Sequence, residues 1–324
     1  MRLQPVIGHH RELKRFVSVI LVTLAGLLLS HSSAALTEPA ASPQEQQPPS
    51  DNATMRVTLW AGKNGRGRYE VALLRTILDR TADNYPAYQL SVNSSPFGTQ
   101  RGRQVVADGE QANVYVSGLR EDDYTRNRDI LMIRRPVMKG LFGYRAAIIR
   151  QGDGARYAQS AQQHNLRDLT IGQGSHWEDA MILRYNNFNV NDNGRFENLF
   201  EMLAYGRFDA IFLGIAEIEP ELAAAPLNDK LTIAYQPIIY YPHAMVFQVS
   251  GKHPQLARRI KEGFAQISDD GTHDQLLEHY FGGAINRIRA ANTNIFVLKH
   301  PTPSLMPELT QPMLIQPPEL NADL

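Results

Sequence analysis

The chain of 324 residues carries 33 basic and 33 acidic side chains, 10 histidines and no cysteine. Its 43% apolar and 20% charged residues supply a sizeable core, which excludes a wholly disordered chain, and the balanced charge excludes a nucleic-acid binder held by a basic surface. The absence of cysteine rules out disulfides, thiolate metal sites, a Cys nucleophile and a lipid-modified N-terminal Cys.

At the N-terminus, Arg11, Lys14 and Arg15 precede an apolar run from Phe16 to Leu29 and the small residues Ser32 to Ala35. This order predicts a secretory signal peptide over 1–35; an uncleaved anchor is the alternative, but the run is shorter than the ~20 residues that span a bilayer. Losing Arg2, Arg11, Lys14, Arg15 and Glu12 with that segment leaves an exported chain with a net charge of about −3. Residues 36–54, with four prolines and almost no large apolar side chain, predict a flexible leader. Residues 299–324, with six prolines, predict an extended tail.

Between them, strand-like and helix-like patterns alternate. Arg56–Trp60 reads as a strand, followed by a turn-rich Gly62–Gly67 and a helix over 68–80 with Tyr69, Leu73, Leu74, Ile77 and Leu78 on one face. Tyr88–Val92 reads as a strand, Gln104–Asp108 as a short helix, and Ala112–Ser117 as a third strand stopped by Gly118. Leu141–Ile149 and Asp168–Gly172 read as further strands, and Ser175 with Glu178 three residues on predicts a capping box that opens a helix. A helical stripe of Leu199, Phe200, Met202 and Leu203 precedes a buried strand at Asp209–Leu213. Leu231–Tyr235 and Ala244–Val249 follow as strands, then a helix opened by Pro254 and a last one carrying Leu276, Leu277 and Tyr280. Such alternation predicts parallel βαβ units in an open α/β sheet.

Four segments carry a family resemblance: Gly109-Glu-Gln-Ala-Asn-Val-Tyr-Val-Ser-Gly118 with Thr125-Arg126-Asn-Arg128; Leu169-Thr-Ile-Gly-Gln-Gly-Ser175; Met202-Leu-Ala-Tyr-Gly-Arg-Phe-Asp-Ala-Ile211; and His253-Pro-Gln-Leu-Ala257 through Asp270-Gly271 to His279-Tyr-Phe281. In order and spacing they resemble the periplasmic solute-binding proteins of amino-acid-type ABC transporters. The resemblance implies an α/β, two-lobed type II periplasmic-binding-protein fold with two crossover strands and an interlobe cleft. It places 55–136 plus 237–298 in a first lobe and 137–236 in a second, the cleft closing by hinge motion.

What the resemblance implies for the site is taken residue by residue. Arg126 is the candidate bidentate clamp on a ligand carboxylate. The loop is about one residue longer than the family's, which makes Arg128 the alternative. Gly174 and Ser175 lie where backbone N–H groups at a helix N-terminus hold an anion, unless the turn is a plain cap. Trp60, Ser117 and Trp177 are further ligand-binding candidates at strand or helix ends, weighed against simple packing. Two departures stand out: Gly214 takes the place of the carboxylate that holds a ligand ammonium, and Asn113 replaces an Asp. Asp209 reads as structural, and the direction of Glu217 and Glu219 is open.

Catalytic signatures (H-E-x-x-H, G-x-S-x-G, S-x-x-K) are absent from the sequence, and His9/His10 and His273/His279 lack metal-ligand spacing. The expectation is an exported, monomeric binder of a small polar solute, with no cofactor and an inner-membrane ABC permease or sensor as partner. Two rivals remain: a periplasmic dehydratase or lyase on the same fold, with Glu178 and Asp179 as its carboxylates, and a ligand-free sensory or scaffolding protein.

Overall fold

The computed structural model describes residues 54–95, 99–119, 129–163, 165–290, 294–302, 314 and 320–321. The signal segment, the leader up to residue 53, the loop with Arg126 and Arg128 and most of the tail lie outside them. The first sheet collects β1 (Met55–Trp60), β2 (Tyr88–Asn93), β3 (Val114–Gly118) and β4 (Ile130–Ile133), with α1 (Gly65–Arg80) and α2 (Thr99–Asp108) between them. A crossover through a single 3-10 turn at Leu141–Gly143 leads to β5 (Tyr144–Arg150) in a second sheet. There the chain runs through α3 (Gly154–Gln162), β6 (Thr170–Gly174), α4 (Glu178–Tyr185), β7 (Asn189–Gly194), α5 (Phe196–Ala204), β8 (Ala210–Gly214), α6 (Ile218–Ala224) and β9 (Leu231–Tyr240). Residues 241–244 return it to β10 (Met245–Ser250), α7 (Pro254–Asp269) and α8 (Thr272–Arg289). The chain ends its described course in β11 (Ile295–Val297) and β12 (Leu320–Asn321).

The strand orders are β2-β1-β3-β10-β4 and β12-β11-β9-β5-β8-β6-β7. β1 lies parallel to β2 and β3, as a βαβ unit requires, while β10 runs antiparallel between β3 and β4. In the first sheet, Val57 and Leu59 of β1 point into a core completed by Tyr69, Leu73, Leu74, Ile77 and Leu78 of α1 and by Leu256, Ile260, Phe264 and Ile267 of α7. In the second, β5 is buried on both faces: Ala147 and Ile149 meet α3 and α4, while Ala146 and Ile148 meet α5. Burying each such Leu, Ile or Phe stabilises by roughly 1.5–3 kcal/mol. No helix among the described residues is long and apolar enough to cross a membrane.

Several expectations need correction. The helix after β6 begins at Glu178 with Trp177 as its N-cap and no side-chain cap bond. The Ser175 hydroxyl instead donates to the backbone carbonyls of Asp192 and Gly194, at 2.9 and 3.0 Å, so it closes the β6–β7 edge rather than a capping box. Residues 295–297, placed in the first lobe on sequence grounds, pair in parallel with β9 in the second sheet. Phe296 and Leu298 are buried there with Ile171, Ile182, Leu183 and Phe212. Asn186 then clamps the next residue: its Oδ1 accepts from the Lys299 N–H and its Nδ2 donates to the Lys299 carbonyl, at 2.9 and 2.7 Å. After α8 the described chain therefore continues in the second sheet.

Candidate functional site

The carboxyl ends of β1, β3 and β8 and the N-terminus of α4 converge on one polar seam, the position where open α/β sheets build sites. Arg145 lies at its centre. It is the one charge in the apolar run Leu141–Ile149, at the start of β5, where β9 carries surplus residues and the register shifts between Arg145 and Ala147. Its side chain is 2% exposed. Nε donates to Asp179 Oδ1 at 3.0 Å and to the Tyr241 hydroxyl at 2.8 Å, Nη2 reaches Asp179 Oδ1 at 3.0 Å and His243 Nδ1 at 3.3 Å, and Nη1 donates to the Phe142 carbonyl. The guanidinium also faces the Phe142 and Tyr241 rings, at 4.7 and 4.9 Å. Tyr241 passes its own hydroxyl proton toward Asp179 Oδ1, so the cluster is closed on itself.

Its protonation states follow from these contacts. His243 Nδ1 accepts from Arg145, which leaves Nε2 as the protonated nitrogen, 3.6 Å from Glu178 Oε2. Burial is the main cause that pushes His243 below the ordinary imidazole value, in spite of Asp179 and Glu178. His300 Nδ1 accepts from the Thr302 N–H at 3.0 Å, so its Nε2–H faces Glu178 Oε1 at 3.5 Å. Glu178 thus sits between two imidazoles. Burial opposes its charge and that of Asp179, but His300 and His243 hold Glu178, and Arg145, His243 and Tyr241 hold Asp179, below the usual carboxylate range. Gly118 makes this approach of β3 feasible: a Cβ there would lie 2.9 Å from His243 Nε2 and 3.2 Å from Glu178 Oε2.

A second guanidinium also faces the Phe142 ring, whose centroid is 5.6 Å from Arg66 Cζ. Arg66 lies in the first turn of α1. Its Nε is 3.2 Å from Glu70 Oε1 one turn on, and its Nη1 is 3.1 Å from Glu217 Oε1, which follows β8 in the other lobe. Asn64, the N-cap of α1 through a 3.0 Å bond from the Gly67 N–H, also donates to Glu221 Oε1 of α6 at 3.3 Å. Gly214 leaves the room for this: a Cβ there would meet Glu217 Oε2 at 3.2 Å and Arg145 Nη1 at 3.4 Å. Glu217 Oε2 thus lies against the space that a side chain at 214 would fill, while Glu219 turns outward to Tyr235 and Arg287. Burial, partly countered by Arg66, raises the Glu70 pKa from 4.5 to about 7.

No protein-family model and no curated protein matches the sequence. Solved structures do. An arginine transport-system periplasmic binding protein from Legionella pneumophila superposes over 70% of this chain and 100% of its own, with a TM-score of 0.52 and 14% identity. This chain has the type II periplasmic-binding-protein fold. Lower similarity extends to an ancestral arginine-binding protein bound to arginine (TM-score 0.49, 16% identity, 72% of this chain and 100% of that one). A binding component of an ABC transporter from Wolinella succinogenes, complexed with lysine, gives a TM-score of 0.49 at 15% identity over 70% of this chain and 95% of that one.

Within this type II fold the candidates read from the sequence fare unequally. Arg126 and Arg128 lie outside the described residues. Trp60 is 8% exposed, tilted against Tyr115 at 4.3 Å and pressed on Gly102, and its Nε1 donates to the Ser95 carbonyl. It is a packing residue under α2. The Ser117 hydroxyl accepts from Arg103 Nε and Nη2 at 3.2 and 3.0 Å, so an arginine of α2 fills the end of β3. The Ser175 N–H already donates to Gly194 O, and Trp177 covers Gly174 and leans on Phe196. Asp209 accepts from the Thr170 N–H and pairs with Arg156, a structural role as expected. Asn113 braces β1 in both directions, accepting from the Thr58 N–H and donating to the Arg56 carbonyl, which an Asp has no proton to do. Of the residues that gather at the seam, Arg66, Phe142, Arg145, Tyr241, His243 and His300 are not among the sequence candidates, and Glu217 enters there only with its direction open; the lone charge within the 141–149 run is the available signal.

Proposed function

We propose that the protein is an exported solute-binding protein that captures a small polar, amino-acid-like solute between its lobes, as a monomer, and presents the closed form to an inner-membrane ABC permease or sensor. The observation that carries this reading is the mixed-charge seam where the strand ends of both lobes converge. A zwitterionic solute needs a guanidinium for its carboxylate and a carboxylate for its ammonium. Arg126 or Arg128 is assigned the first role and Glu217 the second. The shared fold with a periplasmic binding protein of arginine transport makes amino acids, cationic ones included, the first class to test. Binding and closure suffice, with no covalent step or cofactor. A lyase role is less favoured: Glu178 faces His243 and His300 and Asp179 is held by Arg145 and Tyr241, and carboxyls kept below their usual range are poor acids and weak bases at neutral pH.

A thermal-shift panel of amino acids, polyamines, small carboxylates and short peptides on residues 36–324 tests it. A solute at about 100 times its Kd is expected to raise Tm by several degrees, and R126A, R128A and E217Q identify the groups that hold it. A flat panel would favour the second reading, a ligand-free sensory or scaffolding protein. One observation supports that rival: the seam's charges satisfy one another.

A further inference from the structure

We infer that Arg66 is a tethered ligand: its guanidinium occupies an interlobe seat made by Glu70, Glu217 and the face of Phe142, and that seat, once vacated, accepts free guanidinium-type cations. An ordinary pair four residues apart on a helix would need only Glu70. Here the second carboxylate comes from the opposite lobe, and each carboxylate meets a different nitrogen, Nε against Glu70 and Nη1 against Glu217. An aromatic ring lies alongside at 5.6 Å. Opposed carboxylates and an aromatic neighbour match a planar fork better than a compact ammonium.

The seat is also built apart from its occupant. The Glu70 side chain is 3% exposed, and its Oε1 lies 3.2 Å from Arg66 Nε without an aligned hydrogen bond. A buried carboxyl group in that condition takes up a proton or holds a cation, and the Glu217 carboxylate on the other side of the seat favours the cation, whichever molecule supplies it. Across the seat, Gly214 keeps open the space that Glu217 uses, and Asn64 bonded to Glu221 closes the rim. With Arg66 in place, the lobes are bridged by the protein's own cation. The inference stands whether or not the wild-type cleft captures a solute.

The test is R66A in the 36–324 chain, followed by Tm and by the radius of gyration from X-ray scattering. It is titrated with guanidinium chloride to about 20 mM, well below denaturing concentrations, beside equal potassium and methylammonium chloride. R66A is expected to lose several degrees of Tm and to expand. Guanidinium is expected to restore roughly 3 °C and the compact radius where the other two salts do not, and to have no such effect on wild type or on R66A/E217Q. An equal response of R66A to the three salts would overturn the inference, as would an R66A as compact and as stable as wild type. If R66A does not fold, E217Q decides: it removes half of the seat without touching α1, and an unchanged radius and Tm would sink the idea. A flat solute panel on wild type bears on solute capture alone, so the two failures are distinguishable.

Discussion

Two arginines share the Phe142 ring and differ in everything else. Arg145 draws its partners from the Leu141–Gly143 turn, the 241–244 crossover and α4, and is almost fully enclosed; Arg66 draws its partners from both lobes and keeps about a quarter of its side chain exposed, at 27%. Removing water makes the first cluster an all-or-none unit, because each member that leaves strands a buried charge. Solvent at the second keeps the exchange of partners cheap. One fold thus contains a fixed charged cluster and a breakable charged latch, made of the same chemistry and separated by burial.

The largest effect expected from this contrast is at Asp179. D179A leaves Arg145 buried without its carboxylate and is expected to cost about 3–5 kcal/mol, whereas E217Q at the latch is expected to cost only about 1 kcal/mol. Chemical denaturation of the two variants measures both. The apolar replacement R145M/D179L should lie nearer wild type than either single variant, since it removes both buried charges together. Equal losses in D179A and E217Q would erase the distinction between buried cluster and latch.

The pH dependence of the two clusters runs in opposite directions. Glu70 has its folded pKa raised from 4.5 to about 7, with Arg66 and Glu217 facing it. The folded chain then holds the extra proton, so stability is greatest below 4.5 and falls as pH rises through 7, by on the order of 3 kcal/mol. His243, facing Asp179, Glu178, Arg145 and His300, is lowered from 6.5 by burial, so the folded chain resists protonation and its contribution is lost as pH falls below 6.5. Glu178 and Asp179, also lowered, lose theirs at still lower pH, as they protonate. The stability of E70Q relative to wild type should therefore climb between pH 4.5 and 7 and level off above. A flat difference curve would mean that Glu70 stays ionised across that range.

How far the sequence reveals this depends on what each residue advertises. β1, α1, β3, β8 and α7 are legible because apolar side chains recur at the right period. β7 is not: Asn189-Val-Asn-Asp-Asn-Gly194 is a sheet edge, half exposed, and needs no apolar alternation. Ser175 and Glu178 have the spacing of a capping box, yet the β7 carbonyls compete for the serine hydroxyl and win. β11 has only three residues, and the β9 edge that receives it is invisible before the fold is built. For the site, the motifs direct attention to strand ends and the α4 turn, which border the polar seam around Arg145. The partners of Arg66 and Arg145 lie up to about 150 residues away and are joined by topology alone.

Ionic strength should give the smallest effect and the cleanest separation of the two arginines. Raising sodium chloride from about 0.05 to about 0.5 M shortens the screening length from roughly 14 to 4 Å. The Arg66–Glu217 pair, open to solvent on one side, should weaken with it; Arg145, enclosed by Asp179, Tyr241, His243 and Phe142, has no room for counter-ions. Scattering at the two salt concentrations is expected to show a slight opening of wild type and none in R66A/E217Q, which has no pair left to screen. Loss of the salt response in the double variant would locate the latch at that pair; an undiminished response would place it at the neighbouring Asn64–Glu221 rim or elsewhere along the seam, and would leave Arg66 with a role inside the first lobe only.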